Sequence, residues 1–205
     1  MVRVLPADEA GISEAARIVK SGGLVVYPTD TVYGLGCDPL NPNAVRRIFR
    51  VKEREAKPLP ILAAGVEDAG KIAHLTPKAL RLAARFWPGP LTLVLVKKPL
   101  LPPIATCGLD TVGVRVPGYQ PTLQLIRESG GLLVGTSANK SGAEPPRTAG
   151  DAIRQIGGEV DLVLDGGPTP GGLPSTVVDL TGDEPRLLRR GPVKLEEILE
   201  VLRTP

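Results

Sequence analysis

The chain has 205 residues, 42% apolar and 23% charged, and a net charge of +3 with both signs interspersed. That balance suits a soluble globular protein with one sizeable core or two small ones, and supports no more than transient contact with nucleic acid. One Trp, three Tyr and two Phe are too few for a platform that stacks single-stranded bases, and a single histidine with two cysteines (Cys37 and Cys107) argues against a Cys/His zinc site.

In chain order, Val2 to Leu5 reads as a short strand and Ile12 to Ser21 as a helix stopped by Gly22-Gly23. Arg3, Asp8 and Glu9 interrupt any early apolar run, so no signal peptide is expected. No stretch reaches the length of a membrane span, and the expected location is the cytoplasm. Gly23 to Tyr27 is then a strand, Pro28 to Gly36 a hydroxyl-rich loop, and Asn43 to Lys52 a helix. Val45, Ile48 and Phe49 form that helix's buried stripe, and Lys52 continues it four residues after Ile48. An ammonium in that place either snorkels to water or meets an anion. Lys52 and Arg54 converge on one ligand only if the helix ends near Lys52, and Pro58 favours such an ending.

Pro60 to Ala64 is a short apolar strand, and Thr76-Pro77 opens a helix that Trp87-Pro-Gly-Pro90 terminates. Strands follow at Leu91–Val96 and Val112–Val116, a helix from Pro121 to about Ser129, and a strand from Leu132 to Gly135. The last third holds a helix around Ala149–Ile156, strands at Leu162–Leu164, Thr176–Leu180 and Arg186–Leu188, and a terminal helix from Leu195 to Leu202. Residues 97–110 and 140–148 read as loops. The order predicts an α/β fold: a single three-layer domain over residues 1–205 with a mixed, twisted sheet.

No Walker loop, GxGxxG or GxSxG stands in the chain, and His74 reads as a surface or boundary residue. The chemistry-bearing stretches are instead hydroxyls and cations at strand ends. In Thr111-Val-Gly-Val-Arg-Val-Pro117, alternation puts Thr111, Gly113 and Arg115 on one face, a notch suited to a carboxylate or phosphate. The alternative is an edge strand with a solvated arginine. Thr136-Ser-Ala-Asn-Lys-Ser-Gly142 offers small side chains and backbone amides to phosphate oxygens, or is simply a turn. Ser175-Thr-Val-Val-Asp179 and Leu187-Leu-Arg-Arg-Gly191 repeat the pattern.

Taken in order, Pro28-Thr-Asp-Thr-Val-Tyr-Gly-Leu-Gly36, Lys52-x-Arg54 with Lys57-Pro-Leu59, Pro88-Gly-Pro-Leu-Thr92, the 111–117 strand, Ser137-Ala-Asn139 with Ser141-Gly142, Ser175 to Asp179 and Leu188 to Gly191 resemble the YrdC/TsaC family of threonylcarbamoyl-AMP synthases. The resemblance covers roughly residues 10 to 195. It implies a YrdC-like fold and a nucleotidyltransferase that condenses L-threonine, bicarbonate or carbon dioxide, and ATP into threonylcarbamoyl-adenylate and pyrophosphate. The product serves threonylcarbamoyladenosine formation at position 37 of tRNAs reading codons that begin with A, a tRNA modification completed by separate transfer proteins. Direct contact with tRNA or double-stranded RNA is part of the same expectation, and a membrane is not.

Residue by residue, the resemblance places threonine on Thr29, Arg115, Ser175 and the backbone of Gly135. It places ATP on Lys52, Thr111, Ser137, Asn139 and Arg189, with Lys52 and Arg54 as the catalytic pair. Magnesium is expected to be held mainly by ATP rather than by protein ligands. Some relatives carry a histidine where this chain reads Pro60-Ile-Leu-Ala-Ala64, and longer relatives add a C-terminal domain; this chain resembles the short form. A non-catalytic RNA-binding module using Arg46, Arg47 and Arg50 is the rival reading. A second rival is the related domain of hydrogenase-maturation carbamoyltransferases, whose extra regions have no counterpart here.

Overall fold

The computed structural model describes residues 2–53 and 57–203. Strand β1 (Arg3–Pro6) leads to helix α1 (Glu9–Lys20), whose N-cap Asp8 accepts a hydrogen bond from the Gly11 amide at 2.9 Å. Strand β2 (Val25–Tyr27) is followed by β3 (Gly34–Gly36), so part of the expected loop is itself a strand, paired antiparallel to β2. Gly34 and Gly36 make that possible: a Cβ at either would press to within 2.7 and 2.8 Å of the Tyr27 ring.

Helix α2 (Pro42–Val51) buries Ala44, Val45, Ile48 and Val51, whereas Phe49 stays half-buried. It ends where expected, with Lys52 as its C-cap, because Glu53 takes up a left-handed φ of 48°. Strand β4 (Ile61–Ala63) precedes α3 (Val66–Ile72), a seven-residue helix that the sequence pattern does not announce, since Gly65 caps it and Gly70 interrupts it. Helix α4 (Pro77–Phe86), capped by the Thr76 hydroxyl, is followed by β5 (Leu91–Val96) and β6 (Thr111–Arg115). Next come α5 (Gln120–Glu128), β7 (Leu132–Val134), β8 (Thr136–Ser137), α6 (Ala149–Ile156), β9 (Leu162–Asp165), β10 (Thr176–Asp179), β11 (Arg186–Arg189) and α7 (Leu195–Arg203).

The strands divide between two sheets, and both mix parallel with antiparallel pairs. One runs β1-β9-β2-β3-β8 and the other β11-β10-β5-β6-β4-β7. Side chains from α2, α4 and the inner faces of the strands meet in one main core, with Val45, Ile48, Leu91, Leu93 and Val114 fully buried. Each such aliphatic side chain contributes about 1.5–3 kcal/mol by leaving water. A second core cluster packs α1 and α5 against β2, β7 and β9 through Ile12, Val19, Ile126 and Leu133.

The chain passes from one sheet to the other at Gly135, the single residue between β7 and β8. Its amide donates to the Pro60 carbonyl at 2.8 Å, and a Cβ there would lie 2.5 Å from Leu62 Cγ. Glycine therefore permits the crossing. A cleft lined by residues of both sheets lies beside it, and the polar residues gather there.

Candidate active site

Two cavities occupy the cleft. The first, about 260 Å³, is walled by β2, β3 and β8 on one side and by β4, β5, β6, β10 and β11 on the other. The second, about 500 Å³, lies between the end of α2 and the loop after β8. Ser137 belongs to both.

At one end of the first cavity the loop after β2 folds on its own hydroxyl. Thr29 Oγ1 accepts from the amides of Thr31 (3.0 Å) and Val32 (3.2 Å) and donates to the Val32 carbonyl at 2.7 Å. This turn presents Asp30 and Thr31 to Arg115. The guanidinium donates from Nε to the Gly89 carbonyl (2.8 Å), from Nη1 to Thr31 Oγ1 (3.1 Å), and from Nη2 to Asp30 Oδ1. Strand β6 lies inside its sheet between β5 and β4, and Arg115 is only 5% exposed, so the edge-strand alternative falls. Burial pushes the Arg115 pKa down and the Asp30 charge opposes it; the group remains a cation. Tyr27, fully buried on the cavity wall, donates to the Val134 carbonyl at 2.7 Å, and burial raises its pKa.

On the same sheet as Arg115, Arg189 donates from Nε to the Ser175 carbonyl (2.9 Å) and from Nη2 to the Ser175 hydroxyl (3.0 Å). Ser175 Oγ also lies 2.8 Å from Thr92 Oγ1. Both hydroxyl residues are buried. Their strands run side by side, β10 parallel to β5, and β5 separates β10 from β6, which carries Arg115.

In the second cavity Lys52 turns inward rather than snorkelling to water. It is 2% exposed, and its ammonium donates to the carbonyl oxygens of Ser137 and Asn139, the latter at 2.8 Å. Its own carbonyl accepts from the Ser141 amide at 3.0 Å. The lysine thus grips the loop after β8 at three points. Asn139 Nδ2 donates to the carbonyls of Lys140 and Ala143, both at 2.8 Å, and its buried Oδ1 has no partner among the described residues.

The structure therefore brings together Thr29, Arg115, Gly135, Ser137, Ser175 and Arg189 around one cavity, and Lys52, Ser137 and Asn139 around the other. Thr111 stands apart from the two cavities. It shares a sheet face with Gly113 and Arg115, but it pairs with Val96 at the opposite end of β6 and lines neither cavity. Arg54 lies outside the described residues. Asp30, Thr31 and Thr92 stand inside the motifs quoted above without a role of their own, and only their partners here give them one; a polar residue at Thr92, on a strand otherwise Leu and Val, is the available signal. His74 is exposed, as expected.

A cleft between two mixed sheets, lined by two arginines and several hydroxyls and continued by a lysine-held loop, has the chemistry to suit a polar, partly anionic small molecule. The Sua5/YciO/YrdC family model, described as telomere recombination, matches residues 17–191, and the chain belongs to that family. The threonylcarbamoyl-AMP synthase of Pyrococcus abyssi is 46% identical over 197 residues, covering 95% of this chain and 58% of the relative. The enzyme of the same name from Idiomarina loihiensis is 40% identical over 158 residues, 74% of this chain and 84% of the relative. The crystal structure of P. abyssi Sua5 complexed with L-threonine superposes with a TM-score of 0.93 at 44% identity, over 99% of this chain and 60% of that one. This chain spans 58% of the length of its Pyrococcus abyssi and Bacillus subtilis relatives. Among the described residues no helix is long and apolar enough to cross a membrane.

Proposed function

We propose that the chain synthesises threonylcarbamoyl-adenylate from L-threonine, bicarbonate or carbon dioxide, and ATP, releasing pyrophosphate. The observation that carries this reading is the sharing of Ser137 between two cavities of different chemistry. One offers Arg115, Ser175 and surrounding hydroxyls to a small zwitterion. The other offers a loop backed by a buried ammonium to a polyphosphate. The names of the relatives support the same substrates.

In this reading Arg115 takes the threonine carboxylate and Ser175 a second polar group. Thr29 acts through Thr31, since its own hydroxyl is spent inside the loop. The amide of Gly135 is bound to Pro60, so its carbonyl is the atom available to the substrate ammonium. Ser137 and Asn139 face the nucleotide, Lys52 adds positive charge from behind their loop, and Arg189 approaches from the Ser175 side. Magnesium would arrive with the ATP phosphates. The amide Oδ1 of Asn139 and the hydroxyls of Ser137 and Ser141 suit its water shell.

The reaction needs no protein nucleophile. The threonine amine adds to carbon dioxide and loses a proton, giving a carbamate. A carbamate oxygen then attacks the α-phosphorus, and the bond to the pyrophosphate oxygen breaks. The protein supplies positioning at Ser137 and cationic surroundings for the leaving phosphates. The adenylate would then be passed to separate tRNA threonylcarbamoyl-transfer proteins. The test is a pyrophosphate-release assay with each substrate omitted in turn: release requires all three, and release without threonine would overturn the assignment.

A further inference from the structure

We infer that Thr92 is a positioning residue for the amino-acid substrate, acting through Ser175; the inference rests on the threonine reading of the first cavity. The argument is a count of protons. Ser175 and Thr92 carry one hydroxyl proton each, and their oxygens lie 2.8 Å apart, so one proton is shared between them. Arg189 Nη2 donates into Ser175 Oγ at 3.0 Å and so consumes an acceptor position, not a proton. The second hydroxyl proton has no acceptor among the described residues. Both side chains are more than nine-tenths buried, and both line the cavity, so that proton must be offered to whatever the cavity holds.

The hydroxyls around Arg115, on the neighbouring strand β6, are built differently. There Arg115 Nη1 donates to Thr31 Oγ1, which lies 3.0 Å from Thr29 Oγ1, and Thr29 donates to the Val32 carbonyl. That chain of hydroxyls closes on the protein, whereas the Arg189 chain stays open. Either hydroxyl could donate across the Thr92–Ser175 pair; in the direction inferred here Thr92 donates into Ser175 as Arg189 does, and the Ser175 proton points into the cavity. The Ser175 hydroxyl is thereby a preset donor for an acceptor atom of the ligand, across β5 from Arg115. Thr92 sets that direction without touching the ligand in this scheme.

The test is calorimetric titration of L-threonine into the unaltered chain, Thr92→Val, Thr92→Ser, Ser175→Ala and the Thr92→Val/Ser175→Ala pair, with ATP titrated in parallel. Thr92→Val, nearly isosteric, is expected to weaken threonine roughly three- to tenfold while leaving ATP unchanged. Thr92→Ser is expected to restore the affinity. In the Ser175→Ala background, Thr92→Val is expected to add no further loss, because its route is gone. Additive losses, or equal weakening of threonine and ATP, overturn the inference while leaving the threonine reading in place. Failure of the unaltered chain to bind threonine overturns that reading and the inference with it.

Discussion

Arg115 and Asp30 form an ion pair almost withdrawn from water, their side chains 7% and 15% exposed. A buried guanidinium that loses its carboxylate keeps the cost of desolvation and loses the compensating attraction. Asp30→Ala is therefore expected to cost about 3 kcal/mol of stability and to weaken threonine binding. Asp30→Asn retains an acceptor oxygen and should lose less of both. Urea unfolding with parallel titration of threonine measures the two effects. A loss no larger than that of a surface substitution would show that Asp30 does not hold Arg115.

Lys52 is predicted to serve structure and site together. Lys52→Ala leaves the carbonyls of Ser137 and Asn139 without their charged donor. Hydrogen bonds from a charged donor contribute about 1.5–3 kcal/mol each, so a stability loss of roughly 2–4 kcal/mol is expected. Pyrophosphate release should fall at least a hundredfold under conditions where the variant is still folded, as checked by circular dichroism. A variant of unchanged stability would mean that the loop is held by other means.

Gly191 sits beside the segment that carries Ser175. A Cβ there would lie 2.3 Å from the Thr176 amide nitrogen and 2.5 Å from the Pro174 carbonyl, both backbone atoms with little freedom to yield. Gly191→Ala is expected to cost at least about 2 kcal/mol and to displace Ser175, lowering threonine affinity. Gly158→Ala, with open space around it, is the control and should stay within about 0.5 kcal/mol of the parent. Thermal melts of the two variants decide the matter.

Acid should expose a surface contribution. Hydrogen bonding to Arg17 and then Arg3 lowers the Glu14 pKa from 4.5 to about 2. Because the folded-state value is depressed, the stabilisation is fully present above about pH 4.5 and is lost as the pH falls toward 2. Glu14→Gln is expected to flatten the stability profile within that window, and added salt to shrink the difference. Identical profiles for parent and variant between pH 2 and 5 would contradict the assignment.

Much of this fold is legible in the residues because local rules and tertiary structure agree. Thr76-Pro77 opens a helix, Trp87-Pro88 closes it, and the alternation of Val112, Val114 and Val116 marks the buried face of β6. The division into two sheets is less legible, since it turns on Gly135 passing Leu62, a contact between residues far apart in sequence. The cavity residues show the same contrast. Arg115 and Ser175 stand out as polar groups at strand ends, but Asp30 and Thr92 gain meaning only from partners 85 and 83 positions away. Alternation fixes the face that Thr111 occupies but not its place along β6, where it pairs with Val96.

The reading as a synthase is tested most directly by incubating the chain with L-threonine, ATP and carbon-13-labelled bicarbonate and resolving the products by mass spectrometry. Labelled threonylcarbamoyl-adenylate should accumulate with pyrophosphate, and disappear when any one substrate is withheld or Arg115 is changed to Ala. Pyrophosphate with no labelled adenylate, or a labelled product formed without ATP, would contradict it.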